Sequence, residues 1–288
     1  MIKLKFWGVR GSIPTPSPTT ARYGGNTSCV ELRIEDHLFI LDGGSGIRAL
    51  GNELMKTGGS VKASVFITHP HWDHIQGIPF FTPAYIPGNE IFIYGAEEAD
   101  KDLETIISEQ MDATHFPVEM EEMAAHIHFH PLQEGTFQLD SLQVQTIYVN
   151  HPGNALGYRF HTPAGDVVYI SDNEPFANAQ SNADEIYLGE DENQKLVHFV
   201  SEARILIHDA QYTPDEYQAH QTWGHSPYTY PVRLALKAEV ERLILFHHDP
   251  LHNDDQVDRI QEEARKLAKE SNSHLKVEAA FEGMEIIL

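Results

Sequence analysis

The chain is short of cysteine, of positive charge and of long apolar runs, and each shortage excludes something. One cysteine, Cys29, among 288 residues rules out an intrachain disulfide and fits a reducing cytoplasm. Lysine and arginine number 20 against 43 aspartates and glutamates, a formal charge of −23. Proteins that grip long nucleic acids carry a basic footprint, because phosphate contacts dominate their affinity. This balance disfavours a large polyanionic partner and leaves room for a small anion. No apolar stretch nears the ~20 residues of a membrane-spanning helix, so no membrane association is expected. The opening Met1-Ile2-Lys3-Leu4-Lys5-Phe6 alternates like a strand and lacks the apolar segment of a signal peptide. Short-period repeats, low-complexity tracts and Pro-rich linkers are also missing, and a single domain over residues 1–288 is expected.

What is present is an orderly series of strand and helix patterns. Apolar or alternating runs at 29–34, 38–41, 65–67, 91–94, 126–132 and 142–149 predict strands. Residues 158–160 and 167–170 flank the turn Pro163-Ala164-Gly165-Asp166 and predict a hairpin. Further strands are predicted at 205–207, 243–246, 276–280 and 285–288, and helices over 47–56, 99–110, 193–203, 227–238 and 254–270. Strands in two batches with helices spread between them fit two sheets packed face to face, helices outside.

The densest chemistry is Thr68-His69-Pro70-His71-Trp72-Asp73-His74, which follows the apolar run Ala63-Ser64-Val65-Phe66-Ile67. Imidazole nitrogen and carboxylate oxygen are the usual donors for zinc and similar divalent ions. His69 and His71 alternate, so they share a face in extended chain. Asp73 and His74 follow where a helix should begin. One loop would then serve two adjacent ions with two donors each. The bland alternative is a polar loop in a chain with 18 histidines. Later strands also end in donors: Asn150-His151, Ser171-Asp172, His208-Asp209 and His247-His248-Asp249. Buried strands of shared direction end on one rim, which brings such distant donors together.

The run His69-Pro70-His71-Trp72-Asp73-His74 resembles the HxHxDH signature of the metallo-β-lactamase superfamily. His151, Asp172 and His247 follow in the order of that family's remaining ligands, and the resemblance spans nearly the whole chain. It implies an α/β fold, a four-layer αββα sandwich, and two divalent metal ions. His69, His71 and His151 would hold one ion, Asp73, His74 and His247 the other, and Asp172 would bridge them. The family's last ligand directly follows a strand, which favours His247 over its neighbour His248. Ligation by nitrogen and oxygen alone suits Zn2+ and leaves Mn2+ and Fe2+ open.

Asp209-Ala210-Gln211-Tyr212 and then Trp223-Gly224-His225-Ser226-Pro227, ahead of a helix and His247, resemble ribonuclease Z and its relatives. Gly8-Val9-Arg10-Gly11-Ser12-Ile13-Pro14-Thr15 and Asn26-Thr27-Ser28-Cys29 resemble the same branch and its cyclic phosphodiesterase cousins. In that branch the histidine matching His225 donates a proton or contacts phosphate. Pro227 stands where the branch has threonine, which fits the first position of a helix capped by Ser226. Asp42 is expected to orient a ligand histidine and Asp209 to stand behind the site. The turn Asp42-Gly43-Gly44-Ser45-Gly46 is structural, since no Gly-Lys-Ser/Thr of a phosphate loop follows. His126, His128 and His130 read as one strand face, and Arg10 and Arg22 as surface ion pairs, with contact to phosphate or base as the alternative.

The expected function is a dinuclear metal-dependent phosphodiesterase acting on a small phosphodiester, a cyclic nucleotide or cyclic phosphate. A metal-activated hydroxide would attack, with Asp73 and His225 as catalytic residues. A homodimer in the cytoplasm is expected. The alternatives are a transfer-RNA 3′ endonuclease, then a β-lactamase or thioester hydrolase, or a non-catalytic metal-binding protein.

Overall fold

The computed structural model describes residues 2–176, 191–271 and 273–288. The chain divides into two compact units that it visits alternately. Met1–Pro16, Gly24–Gln133 and Phe281–Leu288 make the first, and Ser17–Tyr23 with Glu134–Ala280 the second.

In the first unit β1 (Ile2–Gly8), β2 (Cys29–Ile34) and β3 (His37–Leu41) run antiparallel. Met1 of the expected first strand lies outside the described residues. Then β4 (Lys62–Phe66), β5 (Glu90–Ala96) and β6 (His126–Leu132) continue parallel to β3. β14 (Glu285–Ile287) returns from the C-terminus to pair with β1, which completes a seven-stranded sheet. Parallel neighbours require a crossover, and α1 (Ile47–Thr57) supplies the one between β3 and β4. Its apolar face, Ile47, Leu50 and Leu54, packs in one core with Ala63, Val65 and Ile93. The pairing of Leu41 with Phe66 brings the ends of β3 and β4 to the same edge. Asp42 and Thr68 leave the sheet there, and α2 (Trp72–Ile75) follows.

The second unit repeats the plan. β7 (Gly135–Leu139), β8 (Leu142–Tyr148), β9 (Leu156–His161) and β10 (Val167–Ile170) run antiparallel, with the expected hairpin between β9 and β10. β11 (Ile205–Asp209), β12 (Arg242–Phe246) and β13 (Lys276–Ala279) continue parallel to β10. Ile170 pairs with His208 and Asp209 with Phe246, so Asp172, Asp209 and His247 gather at one edge. β8 runs in the direction of β10, since both are antiparallel to β9, and His151 leaves at that edge too.

Two local expectations are corrected, and two elements are added. The helix expected over 99–110 spans only Leu103–Glu109, called α3, because Asp102 caps it through Thr105 N at 2.8 Å. Glu98 and Lys101 pair their backbones just before it. The second-unit helices are α4 (Asp191–Val200), α5 (Pro214–Ala219), α6 (Thr229–Lys237) and α7 (Asp254–Glu270), and α5 was not foreseen. Ser226 does not cap α6: its hydroxyl donates to Asn173 O at 2.6 Å, and Tyr228 takes the cap position. β7 was also missed, being a short, half-polar edge strand.

Candidate metal centre

In the first unit the end of β3 anchors the loop after β4. Asp42 has a left-handed backbone, φ +60°, and is fully buried. Its carboxylate accepts from Thr68 N at 2.8 Å, Thr68 Oγ1 at 3.0 Å and His74 Nδ1 at 2.8 Å. The glycine turn meshes with the same loop, Gly43 N donating to His74 O at 2.7 Å. A Cβ on Gly44 would sit 2.2 Å from Asp73 O, so that position tolerates no side chain. His69 Nε2 lies 2.9 Å from His71 Nδ1. Asp73 accepts from Ser12 N at 2.7 Å and stands 3.2 Å from His74 Nε2. His69, Asp73 and His74 are buried, and His71 is exposed.

In the second unit the donors come from strand ends. His247 has φ +58°. Its Nδ1 donates to Gln211 Oε1 at 2.9 Å, and its Nε2 is 3.4 Å from Asp172 Oδ1. His151 Nδ1 donates to Gly224 O at 2.9 Å, with Nε2 3.8 Å from Asp172 Oδ2. His225 Nδ1 lies 3.0 Å from Asp209 Oδ2 and 3.7 Å from Asp172 Oδ2. His151, Asp172 and His225 thus form one donor cluster, and Asp209, His225 and His247 another. His248 turns away, its Nε2 donating to Ala280 O at 2.8 Å and its ring against Tyr23.

Two residues that hold this set were not singled out beforehand. Glu174 accepts from Tyr217 OH at 2.8 Å, Thr222 N at 2.8 Å and Gly224 N at 2.9 Å. It thereby fixes the segment that carries Gly224 O and His225. Gly224, at φ +86°, is required here, because a Cβ would lie 2.2 Å from His151 Nδ1. Gln211 is the other, as the acceptor for His247. The available signals were weak: each is a polar residue two positions beyond Asp172 or Asp209.

The donor chemistry fits divalent ions. The Nδ1 atoms of His74, His151 and His247 are each held by a protein acceptor, the arrangement that orients metal-binding imidazoles. Two donors on one tetrahedral ion, each about 2.0–2.1 Å from it, stand about 3.3 Å apart. The His74–Asp73 and His247–Asp172 separations, 3.2 and 3.4 Å, match that spacing.

The remaining candidates have structural work. His128 stacks on Phe92 and His130 on Tyr94, each with centroids 4.8 Å apart across β5 and β6. Arg22 pairs with Asp255 at 2.7 Å and Asp258 at 2.6 Å, as expected. Arg10 is a correction: it is fully buried, and Nε donates to Gly24 O at 2.8 Å.

Residues 39–248 match the model of the beta-lactamase superfamily domain, and the chain belongs to that family. Ribonuclease Z of Thermoplasma acidophilum is 25% identical, the match covering 94% of this chain and 93% of that one. Among solved structures, the metallo-beta-lactamase fold protein YhfI from Bacillus subtilis superposes with a TM-score of 0.72 at 19% identity, over 99% of this chain and 98% of that one. Unliganded yeast PDE1 superposes with a TM-score of 0.68 at 17% identity, over 100% and 99%. The fold class and the resemblance to the ribonuclease Z branch are borne out. The chain is a metal-dependent hydrolase in the phosphodiesterase and nuclease group of this superfamily. Among the described residues no helix is long and apolar enough to cross a membrane.

Proposed function

We propose that the chain hydrolyses a small phosphodiester, a cyclic nucleotide or cyclic phosphate, at a centre for two divalent ions. Zn2+ is the first candidate, with Mn2+ and Fe2+ compatible. His69, His71 and His151 would hold one ion, Asp73, His74 and His247 the other, with Asp172 available to both. On this reading residues 1–288 are one domain. Bound there, the ions would supply an activated water and offset charge at phosphorus.

The chain's own residues orient and move protons. Asp42, Gly224 O and Gln211 take the Nδ1 protons of His74, His151 and His247, which leaves each Nε2 lone pair for ligation. Asp73, fixed by Ser12 N, takes the proton of the attacking water. The observation that carries the phosphodiesterase assignment is the pairing of His225 with Asp209 at 3.0 Å, beside Asp172. Asp209 holds the Nδ1 proton, so Nε2 is the atom that donates to the departing alkoxide. Proton donation of this kind contributes about 10²–10⁴ in rate. A β-lactamase or thioester hydrolase would leave His225 without that task. The charge of −23 supports a small substrate.

His225→Ala is expected to keep its metal and to lose about 10²-fold or more on 3′,5′- or 2′,3′-cyclic nucleotides. On p-nitrophenyl phosphodiesters, whose leaving group needs no proton, the loss is small. Metal analysis and turnover on both substrates test this, and an unimpaired rate on cyclic nucleotides refutes it. A second reading, a transfer-RNA 3′ endonuclease, is favoured by the similarity to T. acidophilum ribonuclease Z. Cleavage of precursor transfer RNA that weakens steeply with salt would establish that reading instead. We also expect a cytoplasmic homodimer, and sedimentation velocity tests the dimer.

A further inference from the structure

Beside the His69–His74 loop the first unit carries a cleft of about 700 Å³ that the proposed chemistry does not use. Its walls include Pro70 and Trp72 from the loop itself, together with Phe80, Gln110 and Phe116. Trp72 is 76% exposed although both its neighbours, His71 and Asp73, are candidate ligands, and Phe80 is 52% exposed. Burying neither ring in the core costs hydrophobic stabilisation, so a role outside the fold is expected of them. Phe80 and Phe116 meet edge to face, centroids 5.3 Å apart at 80°, a preset aromatic wall. The amide Nε2 of Gln110 is buried in this lining with no hydrogen-bond partner. The other amide there, Gln76, is already committed to Thr27 Oγ1 at 3.1 Å.

The charge of the cleft selects its occupant. Lys101 is held by both carboxylate oxygens of Glu109, at 2.8 and 2.6 Å, and Glu98 lines the same cleft. Two carboxylates against one engaged ammonium do not attract phosphate. A flat, neutral, hydrogen-bonding ring fits aromatic faces and an unsatisfied amide, as bases do where they stack on aromatic side chains.

We infer that this cleft binds the nucleobase of the substrate, with Trp72 and Phe116 as stacking surfaces and Gln110 as the group that reads the base edge. The inference rests on the phosphodiesterase reading and narrows it to cyclic nucleotides over baseless cyclic phosphates.

Calorimetric titration of the metal-loaded protein with adenosine and guanosine, which carry no phosphate, tests the cleft apart from the chemistry. At least one nucleoside should bind. Trp72→Ala and Phe116→Ala should each weaken it about 10-fold or more, and Gln110→Leu should change the preference between the two. Phe116 lies outside the ligand loop, so its variant guards against damage to that loop, and metal content is measured for each. In turnover, KM for a cyclic nucleotide should rise by the same factor with kcat held, while KM for glycerol 1,2-cyclic phosphate stays put. Absence of nucleoside binding together with intact phosphodiester hydrolysis overturns the cleft and spares the phosphodiesterase reading. Nucleoside binding sensitive to Phe116→Ala, with no hydrolysis of any phosphodiester, supports the cleft and overturns that reading. Equal rises in KM for both substrates, or binding of octanoate in place of nucleosides, also overturn the cleft.

Discussion

The two units share a plan and differ in how they assemble donors. Each runs antiparallel strands into parallel ones, and Asp73, His74, Asp172 and His247 all follow parallel strands, whereas His151 follows the antiparallel β8. The first unit draws all of its set from one loop after β4. The second draws single residues from the segments after β8, β10 and β12. The loop is tied down chiefly by one carboxylate, Asp42, whereas the dispersed set has separate anchors in Gly224, Gln211, Asp209 and Glu174. A set with one anchor should fail at once, and a set with several should fail piece by piece.

The largest effect is therefore expected at Asp42. Asp42→Ala leaves the buried donors Thr68 N and His74 Nδ1 without their acceptor. An unmet buried group costs about 1–3 kcal/mol, and more where a charge is involved. Loss of such an orienting partner lowers metal affinity about 10–100-fold. Competition titrations with a chelator should show both ions weakened, with a clear fall in Tm. Asp42→Asn is the milder variant, since asparagine tolerates the left-handed backbone. Unchanged affinity in the alanine variant would remove Asp42 as the anchor.

Glu174→Gln should act mainly on the proton donor and more weakly on His151, whose Nδ1 rests on Gly224 O. A glutamine side chain presents one acceptor oxygen to three donors, and its amide nitrogen repels the backbone N–H it then faces. The segment holding Thr222, at φ +73°, and Gly224 should relax, and His225 with it. We expect kcat on cyclic nucleotides to fall about 10-fold, the low end of what a proton donor contributes. Metal affinity should change less than in Asp42→Ala, since Asp172 and His247 keep their partners. The p-nitrophenyl diester, indifferent to the proton donor, should be nearly unaffected. An equal loss on both esters would show that Glu174 supports the fold in general and not His225.

The same contrast explains what was legible in the sequence. The His69–His74 run is contiguous, and its spacing alone indicates a metal loop. Asp172 and His247 were legible because each stands at the end of an apolar strand, and because the family resemblance implies ligands in that order. Asp42 was legible as a partner of the loop through its glycine turn, but its left-handed backbone was not, and neither was that of His247. Both depend on where the strand stops and the chain must turn. Glu174 and Gln211 carried only a weak signal, because their partners lie 36 to 50 residues away and are set by the sheet. Ser226 misled for a related reason. Its local context is that of a cap, and a longer-range acceptor, Asn173 O, took its hydroxyl.

The smallest effect separates the scaffolds by pH. The second unit's core contains Tyr212, Tyr217 and Tyr230. All three phenols are raised above their ordinary pKa, chiefly by burial, with added effect from Asp209 on Tyr212 and from the Glu174 hydrogen bond on Tyr217. A phenol raised in the folded state contributes its full stability below the unfolded value of about 10. That contribution is lost as pH climbs towards the folded value, because the unfolded chain then releases protons that the folded one retains. In the first unit the Tyr85 phenol is raised too, by burial, but it is partly exposed, and the buried Cys29 thiol is raised as well, again chiefly through burial. Urea midpoints should therefore drop between about pH 8 and about pH 10.5, and Tyr230→Phe should shrink the drop by removing a fully buried phenol. A drop of equal size in that variant would mean that alkaline loss begins elsewhere, and that the dispersed donor set does not rest on the more titratable scaffold.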